Sequence, residues 1–178
     1  MKVFVMSDIH GNAPALREAL RAYAASGATH IVVAGDLLGG RPFSRGTDEQ
    51  TAAILLRAYT DRITAAKGNC DTAFDERRTG IRLAPYATVT VDGATFFVTH
   101  GHVYREGKLP DAARDAQYVV TGHTHIPSLS RAGNTVYLNP GSIACPRGGA
   151  DRTYAIVTDN AVTIHRLPTG EVVQELEL

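Results

Sequence analysis

The sequence lacks several features that would indicate particular classes of protein. It has no tryptophan and only two cysteines, Cys70 and Cys145, among 178 residues. The cysteines form no CxxC pair, so neither a disulfide framework nor a zinc finger is indicated. No apolar run approaches the roughly 18 residues of a membrane span, and the run before Asp8 is too short for the core of a signal peptide. We therefore expect a soluble cytoplasmic protein without a membrane partner.

An excess of charge of either sign is also missing. Lysine plus arginine and aspartate plus glutamate number 18 each, so bulk charge does not favour nucleic acid as the main partner. A nuclease is disfavoured further because the chain has no lysine-rich tract or tryptophan, although a local basic patch is not excluded. The length of 178 residues predicts a single domain over residues 1–178. Whether it forms a homo-oligomer is left open.

Short apolar runs alternate with helical segments in the first part of the chain. The predicted strands are Lys2–Met6, His30–Ala34 and Arg62–Lys67, and the predicted helices are Ala13–Ala25 and Thr47–Tyr59. Leu16, Leu20 and Tyr23 form an apolar stripe on the first helix. In the second helix we expect Ile54, Leu55 and Ala58 to face inward. Alternating strands and helices predict an α/β fold that begins with parallel pairing.

After residue 80 the pattern predicts further strands, joined by tight turns. Val89–Val91 and Thr95–Val98 flank Asp92-Gly93, a dipeptide that favours a hairpin turn. The second of these segments lies within a predicted strand Ala94–Thr99. A further strand is predicted at Gln117–Thr121, and an antiparallel meander at Thr135–Leu138, Thr153–Thr158, Ala161–His165 and Val172–Leu176. The expected fold is an α/β sandwich of two packed sheets with helices outside.

Potential metal ligands follow five of the predicted strands at their carboxyl ends. In chain order they are Asp8 and His10, Asp36, Asn69, His100 and His102, and His123 and His125. Ligands bind beyond the carboxyl ends of strands in open α/β sheets. Each residue alone has an ordinary explanation as a turn former, helix cap or surface histidine. Because five of the seven histidines fall in these motifs, the set as a whole predicts a metal site.

Residue spacing supports the same interpretation. Asp8 and His10 are two residues apart, as are His123 and His125. In an extended chain such pairs point to the same side, so each pair can direct two ligands to one place.

These motifs resemble those of calcineurin-like metallophosphoesterases. The matching segments are Asp8-Ile9-His10, Gly35-Asp36, Gly68-Asn69, His100-Gly101-His102 and Gly122-His123-Thr124-His125, in that order. The small size, the sequence His10-Gly11-Asn12 and the segment Asn139-Pro140-Gly141-Ser142 resemble the compact prokaryotic phosphodiesterase branch. The resemblance implies a mixed two-sheet β-sandwich flanked by helices, with four layers in the order α/β/β/α.

The resemblance also implies a role for each residue of the motifs. The first metal would be held by Asp8, His10, Asp36 and His125, and the second by Asp36, Asn69, His100 and His123, so that Asp36 bridges the two. His102 is not a ligand in that pattern and would support a ligand or contact substrate. Asn12 would contact the phosphate, orient a ligand or cap the first helix, and these alternatives stay open.

Nitrogen and oxygen ligands without thiolate suit manganese, iron or zinc, and nickel or magnesium is also compatible. We expect manganese. Two such ions can activate a shared water for in-line attack on phosphorus, and their net positive charge favours an anionic substrate. The expected function is a phosphodiesterase that acts on a small phosphate ester. The alternatives are a phosphomonoesterase or protein phosphatase with the same site, and a non-catalytic scaffold resembling the retromer subunit of this fold.

One departure concerns the residue after the metal-binding asparagine, where many family members carry histidine. Here it is Cys70, and a thiol with a reference pKa of about 8.5 is a weaker acid than imidazolium at about 6.5. We hypothesise that this favours diesters, or esters with good leaving groups, over alkyl phosphomonoesters; the alternative is that Cys70 only fills space. Asp71 is expected either to orient His123, His100 or an arginine, or to be a solvated turn residue. The loop arginines Arg41, Arg105 and Arg147 either clamp phosphate or are ordinary surface residues.

Overall fold

A computed structural model describes residues 1–39 and 47–178 of the chain, and Arg41 and most of the loop around it lie outside these ranges. The first part forms β1 (Lys2–Met6), α1 (Ala13–Ser26), β2 (His30–Val33), α2 (Thr47–Arg57), β3 (Ile63–Ala65) and α3 (Ala73–Thr79). The middle part forms β4 (Tyr86–Val91), β5 (Ala94–Thr99), β6 (Tyr118–Val120), β7 (Ser128–Ala132) and β8 (Thr135–Asn139). The last part forms β9 (Thr153–Thr158), β10 (Ala161–Arg166) and β11 (Val172–Glu177).

The larger sheet has six strands in the order β11-β10-β9-β1-β2-β3. Strands β1, β2 and β3 run parallel, which confirms the predicted α/β beginning. Strands β9, β10 and β11 form the predicted antiparallel meander and join the sheet through β1. All three parallel strands therefore end at the same edge of this sheet.

The smaller sheet has five strands in the order β4-β5-β6-β8-β7. The Asp92-Gly93 turn joins β4 to β5 as predicted. The placement of β8 in the meander was wrong, because β8 pairs in parallel with β6 and antiparallel with β7. Strand β7 was not predicted. It is an exposed edge strand whose sequence, Ser-Leu-Ser-Arg-Ala, has little apolar character, so its pairing is invisible to a hydrophobic pattern.

Two apolar layers hold the sandwich together. Between the sheets, Val3, Val5, Phe96, Val98 and Val120 are completely buried. On the other face of the larger sheet, α1 buries Leu16, Leu20 and Tyr23 as predicted.

The inward face predicted for α2 was wrong for Ile54 and Ala58, which are exposed, whereas Leu55 is half-buried and packs against the core as predicted. Ala52, Ala53 and Leu56 are buried, whereas the side chain of Ile54 is 63% exposed. Three consecutive apolar residues, at positions 54–56, necessarily spread around a helix, and their hydrophobicity alone does not select the buried one. The short helix α3 was also missed, although Thr72 and Asp75 form a reciprocal capping box at its start.

The two-sheet architecture is confirmed, but the layer on the outer face of the smaller sheet is thin. Ala113 and Ala116 of the segment after β5 pack there against Phe97 and Val119. Within the described residues this segment contains one 3₁₀ turn, Asp111–Ala113, and no α-helix. The described helices are all too short or too polar to cross a membrane.

Candidate metal centre

The structure brings the predicted ligands together at one edge of the sandwich. The loops after β1 and β2 are joined by backbone hydrogen bonds, with the amides of Ile9 and His10 both donating to the carbonyl of Asp36 at 2.9 Å. The loop after β6 is tied to the loop after β5 by a 3.0 Å bond from the Gly122 amide to the His100 carbonyl. The carboxyl ends of strands from both sheets therefore meet here.

Backbone strain is concentrated at the same edge. Among the described residues, six other than glycine have positive φ, and five of them are predicted ligands: Asp8, His10, Asp36, His123 and His125. Left-handed conformations are uncommon for such residues and persist where the surrounding structure enforces them, often at functional sites. The predicted extended conformation of the Asp8/His10 and His123/His125 pairs was therefore wrong. Left-handed turns, not strand alternation, direct these side chains.

Asp8 is completely buried and uses only one of its carboxylate oxygens for hydrogen bonds. Its Oδ2 accepts from the Ser7 hydroxyl at 2.7 Å and from the His123 amide at 3.1 Å. Its Oδ1 has no hydrogen-bond donor, although it lies 3.1 Å from Nε2 of His125 and 3.8 Å from Nε2 of His10. One buried carboxylate oxygen is thus left facing two imidazole rings.

Asp36 shows the same division between its two oxygens. Its Oδ1 accepts from the Cys70 amide at 2.9 Å. Its Oδ2 lies 3.7 Å from Nε2 of His10 and 3.4 Å from Nε2 of His100. These rings belong to the two predicted ligand groups, so Asp36 Oδ2 lies between the groups.

Backbone carbonyls determine which ring nitrogen of three histidines faces the centre. Nδ1 of His10 lies 3.0 Å from the carbonyl of Gly39, Nδ1 of His100 lies 2.6 Å from that of Ala34, and Nδ1 of His125 lies 2.5 Å from that of Cys145. A carbonyl can only accept a hydrogen bond, so each Nδ1 carries a proton. Each of these rings therefore turns its Nε2 toward the aspartates, as metal-binding histidines commonly do.

Asn69 completes the second group. Its Oδ1 lies 3.0 Å from Nε2 of His100 and 2.8 Å from Nδ1 of His123. Its amide nitrogen donates to the sulfur of Cys70 at 3.1 Å, which orients the oxygen toward the two rings. His123 thus faces the centre through Nδ1, unlike the other three histidines.

The donor set fits divalent cations. Two aspartates, Asp8 and Asp36, are at most 2% exposed, and the buried charged side chains of the described residues include no lysine or arginine to neutralise them. Burying unpaired carboxylates is costly unless a positive charge compensates them. Ligand atoms of Asp8, His10 and His125, and likewise of Asp8, Asp36 and His100, lie within 4.8 Å of one another. These oxygen and nitrogen atoms match the preferences of manganese, iron and zinc.

Burial and mutual contact shift the pKa values of the ligands. Burial lowers the pKa of His10. For His100, burial acts to lower the pKa, but contact with Asp36 outweighs it and the pKa is raised. For Asp36, burial acts to raise the pKa, but His100 and the Cys70 amide lower it to about 2. The pKa of His123 is lowered by burial and by the neighbouring His100.

Asp71 has a different role from either alternative predicted for it. It is only 4% exposed and is therefore no solvated turn residue. Instead of a histidine or arginine, it contacts three backbone amides, those of Asp36, Leu37 and Gly68, each at 2.8 Å. Burial raises its pKa, against the effect of these hydrogen bonds. Asp71 thus joins the loop that carries Asp36 to the loop that carries Asn69.

The other predicted residues lie at the rim of the centre. Cys70 is half-buried, and its sulfur groups with ligand atoms of His10 and Asp36; burial and the charge of Asp36 raise its pKa to about 12. Asn12 caps α1 by accepting from the Ala15 amide at 3.0 Å, which confirms that alternative. His102 is exposed, with its ring 5.3 Å from that of His100.

Sequence reasoning gave no role to two residues that support Asp8. The Ser7 hydroxyl bonds both the Asp8 carboxylate and the Ala34 carbonyl, and the Ser142 hydroxyl donates to the Asp8 carbonyl at 2.8 Å. Ser142 belongs to the Asn139–Ser142 segment, which was noted only as a family resemblance. The sequence offered no signal for Ser7, because a serine at a strand end is common.

Close packing also restricts the backbone of the ligand loops. A side chain at Gly68 would collide with the carboxylate and amide of Asp36. A side chain at Gly122 would collide with the hydroxyl of Ser7. Both glycines therefore allow the loops to approach the buried aspartates.

Among the described residues, one cleft adjoins the candidate centre and a larger cavity does not. A cleft of about 340 Å³ includes His102 and His123 in its lining. A larger cavity of about 510 Å³ lies between β3 and β4 and includes none of the candidate ligands. The smaller cleft is therefore the one that adjoins the candidate ligands. Arg105 lines this cleft, while Arg147 is exposed and its amide donates to the His125 carbonyl at 3.2 Å.

Comparisons with known proteins agree over the whole fold. Phosphodiesterase YfcE of Escherichia coli is 30% identical over 182 residues, covering 100% of this chain and 98% of the relative. A solved structure of Yfce, described as a phosphoesterase from E. coli, has a TM-score of 0.89 at 29% identity and covers 99% of this chain and 98% of that one.

A more distant structure shares the fold. Vps29 from Entamoeba histolytica, complexed with Zn²⁺, has a TM-score of 0.70 at 19% identity over 99% of both chains. The family model of the calcineurin-like phosphoesterase superfamily domain matches residues 1–161. The chain therefore belongs to the calcineurin-like phosphoesterase superfamily.

Proposed function

We propose that this phosphoesterase cleaves small phosphodiesters at a dinuclear metal centre. Family membership implies divalent metal ions. The first ion would be held by Asp8, His10, Asp36 and His125, and the second by Asp36, Asn69, His100 and His123. Manganese is the metal we propose first, since all of these ligands are oxygen or nitrogen.

The observation that carries the proposal is the position of Asp36 Oδ2. It lies 3.7 Å from Nε2 of His10 and 3.4 Å from Nε2 of His100, one histidine from each ligand group. The other oxygen of Asp36 is occupied by the Cys70 amide. This arrangement suits a carboxylate that would bridge two cations through Oδ2 while the hydrogen bond to Oδ1 fixes its orientation.

When bound, a pair of divalent cations polarises a phosphate and lowers the pKa of a water molecule. The chain's own residues supply the geometry. Ser7, the His123 amide and Ser142 hold Asp8, and Asp71 holds the backbone on both sides of the second group. The exposed ring of His102 lies beside the ligands, where it would contact a bound phosphate.

Cys70 favours diesters over monoesters with poor leaving groups. Its pKa is raised to about 12 by burial and by Asp36, so the thiol does not give up its proton readily. A weak acid at this position assists the departure of an alkoxide less than imidazolium would. The relative named Phosphodiesterase YfcE supports the same preference.

The test is hydrolysis of bis-p-nitrophenyl phosphate beside p-nitrophenyl phosphate. Chelated protein is assayed with Mn²⁺, Mg²⁺, Zn²⁺ or no metal, and bound metal is measured by elemental analysis. We expect metal-dependent cleavage with a preference for the diester, and both activity and metal content fall in Asp36→Asn. A preference for the monoester would instead support a phosphomonoesterase.

A non-catalytic scaffold is the second candidate. The fold shared with Vps29 favours it, but this chain keeps all seven candidate ligands. Folded, metal-loaded protein that cleaves neither ester with any metal would favour the scaffold.

We also propose that residues 1–178 form one domain, because the apolar layer between the sheets includes residues from β1, β5, β6 and β10. A cytoplasmic location stays a prediction, as do the absence of nucleic-acid binding and the oligomeric state.

A further inference from the structure

The outer face of the smaller sheet is open beside the candidate metal centre. The cleft of about 340 Å³ lies between the loop after β5, which contributes His102 and Arg105, and the strands β7 and β8. His123 forms part of its wall, with its ring 6.0 Å from that of His102. The cleft is thus continuous with the centre.

The strand register explains the shape of the cleft. Ser130 pairs with Tyr137 across β7 and β8, so both side chains lie on the outer face, while Leu129 and Leu138 pack in the layer between the sheets. A small hydroxyl beside a large aromatic ring leaves a recess. The apolar cluster of the thin outer layer contacts Tyr137 but does not cover Ser130, which stays exposed.

The lining indicates the chemistry of an occupant. It combines the ring of Tyr137 with the hydroxyls of Ser128 and Ser130, and its charged side chains are one arginine, Arg105, and one glutamate, Glu106. Such a balance gives no cationic track for a chain of phosphates, so a polynucleotide is disfavoured. The lining therefore suits an occupant with an uncharged aromatic ring, which can pack against Tyr137, and polar substituents, which can reach the serine hydroxyls.

We propose that this cleft holds the ester group that stays on phosphorus during cleavage, and that it selects diesters whose retained alcohol is aromatic. The inference rests on the proposed function, because it requires the phosphate to be bound at the adjoining metal centre. Tyr137 and Ser130 would then determine specificity without taking part in the chemistry.

The first test uses two diesters that release the same p-nitrophenol: bis-p-nitrophenyl phosphate and methyl p-nitrophenyl phosphate. Ser130→Phe fills the recess on an exposed strand. Ala132→Phe, on the same face of β7 but outside the cleft lining, is the matched control. We expect Ser130→Phe to raise KM for the bis-aryl diester by about two- to tenfold, to leave the methyl diester unchanged, and Ala132→Phe to change neither.

The second test does not depend on turnover. Calorimetric titration of manganese-loaded protein with phenylphosphonate and methylphosphonate compares two anions that differ in the ring. We expect the wild type to bind phenylphosphonate more tightly, and Tyr137→Leu or Ser130→Phe to remove the difference.

Equal effects on both diesters, or phosphonate affinities that do not respond to either substitution, would overturn the assignment of the cleft. Failure of the proposed function would give a different set of results. The wild type would then cleave neither diester with any metal, while the phosphonate titrations would still report on the cleft.

Discussion

Two aspartates with nearly the same positive φ lie at opposite ends of the sandwich. Asp36, with φ of 54°, follows β2 and is 2% exposed. Asp92, with φ of 48°, forms the β4–β5 turn, and its side chain is 65% exposed beside the amine of Met1. At the turn, an aspartate-glycine pair suits the hairpin geometry and water solvates the charge. At the other end, hydrogen bonds from neighbouring loops hold the backbone of Asp36, and a bound cation would compensate its buried charge.

The largest expected difference between the two ends is in activity. Asp36→Asn should lower metal-dependent kcat/KM by at least about a hundredfold, since even residues that merely support metal ligands contribute 10- to 100-fold. Asp92→Asn, the matched control, should leave it unchanged. The measurement is steady-state hydrolysis of bis-p-nitrophenyl phosphate. Equal losses in the two variants would remove the distinction between the ends.

The second largest expected difference is in the free energy of unfolding, which should depend more on a carboxylate near the metal centre than on one at the opposite end. Asp71→Ala leaves three buried amides, those of Asp36, Leu37 and Gly68, without their acceptor. At about 1 kcal/mol or more for each, the free energy of unfolding should fall by about 3 kcal/mol. Asp159→Ala, at a side chain 70% exposed, should change it by less than about 0.5 kcal/mol. Urea denaturation of chelated protein measures both, and a neutral Asp71→Ala would contradict the role given to this carboxylate.

The stabilisation of the protein by a bound metal ion should depend on aspartates at only one of the two ends. At a concentration 100 times the dissociation constant, a bound cation adds about 2.7 kcal/mol to the free energy of unfolding. We expect Mn²⁺ to raise the melting temperature of the wild type and of Asp92→Asn alike, and to raise that of Asp8→Asn less. An equal rise in all three proteins, measured by calorimetry, would place the cation elsewhere.

A smaller effect is expected in the selectivity of the metal centre between monoesters and diesters. Cys70→His introduces a stronger acid beside Asp36 and should increase turnover of an alkyl phosphomonoester, whose alkoxide leaving group needs a proton, relative to bis-p-nitrophenyl phosphate. Cys70→Ser, which keeps the approximate size of cysteine and lacks the acidity of imidazolium, is the control. If the ratio of monoester to diester turnover is unchanged in Cys70→His, Cys70 only fills space.

The smallest expected effect is on the pH dependence of stability, and it concerns the end of the sandwich that carries Asp92. The Met1 amine has a pKa raised above its ordinary value of 8.0, chiefly by its hydrogen bond to Asp159. The stabilisation is therefore present below pH 8 and is lost as pH rises through the raised pKa. Asp159→Asn should reduce the difference in denaturation midpoint between pH 7 and pH 10. An unchanged pH dependence would show that this contact does not contribute.

The sequence revealed the polar residues of the centre because they recur after strands. A motif such as Asp8-Ile9-His10 at a strand end can be recognised from the sequence alone. The buried contacts of Asp71 could not be predicted, since its partners are backbone amides brought together only by folding. Likewise, the exposed strand β7 and the inward face of α2 depend on tertiary neighbours, which local hydrophobicity does not encode.

The bridging role that we propose for Asp36 is tested most directly by a crystal structure of the manganese-loaded protein with anomalous scattering. The account predicts two peaks about 3.5–4 Å apart, with Asp36 Oδ2 between them. One peak next to Asp8, His10 and His125 would contradict it, as would two peaks of which only one contacts Asp36.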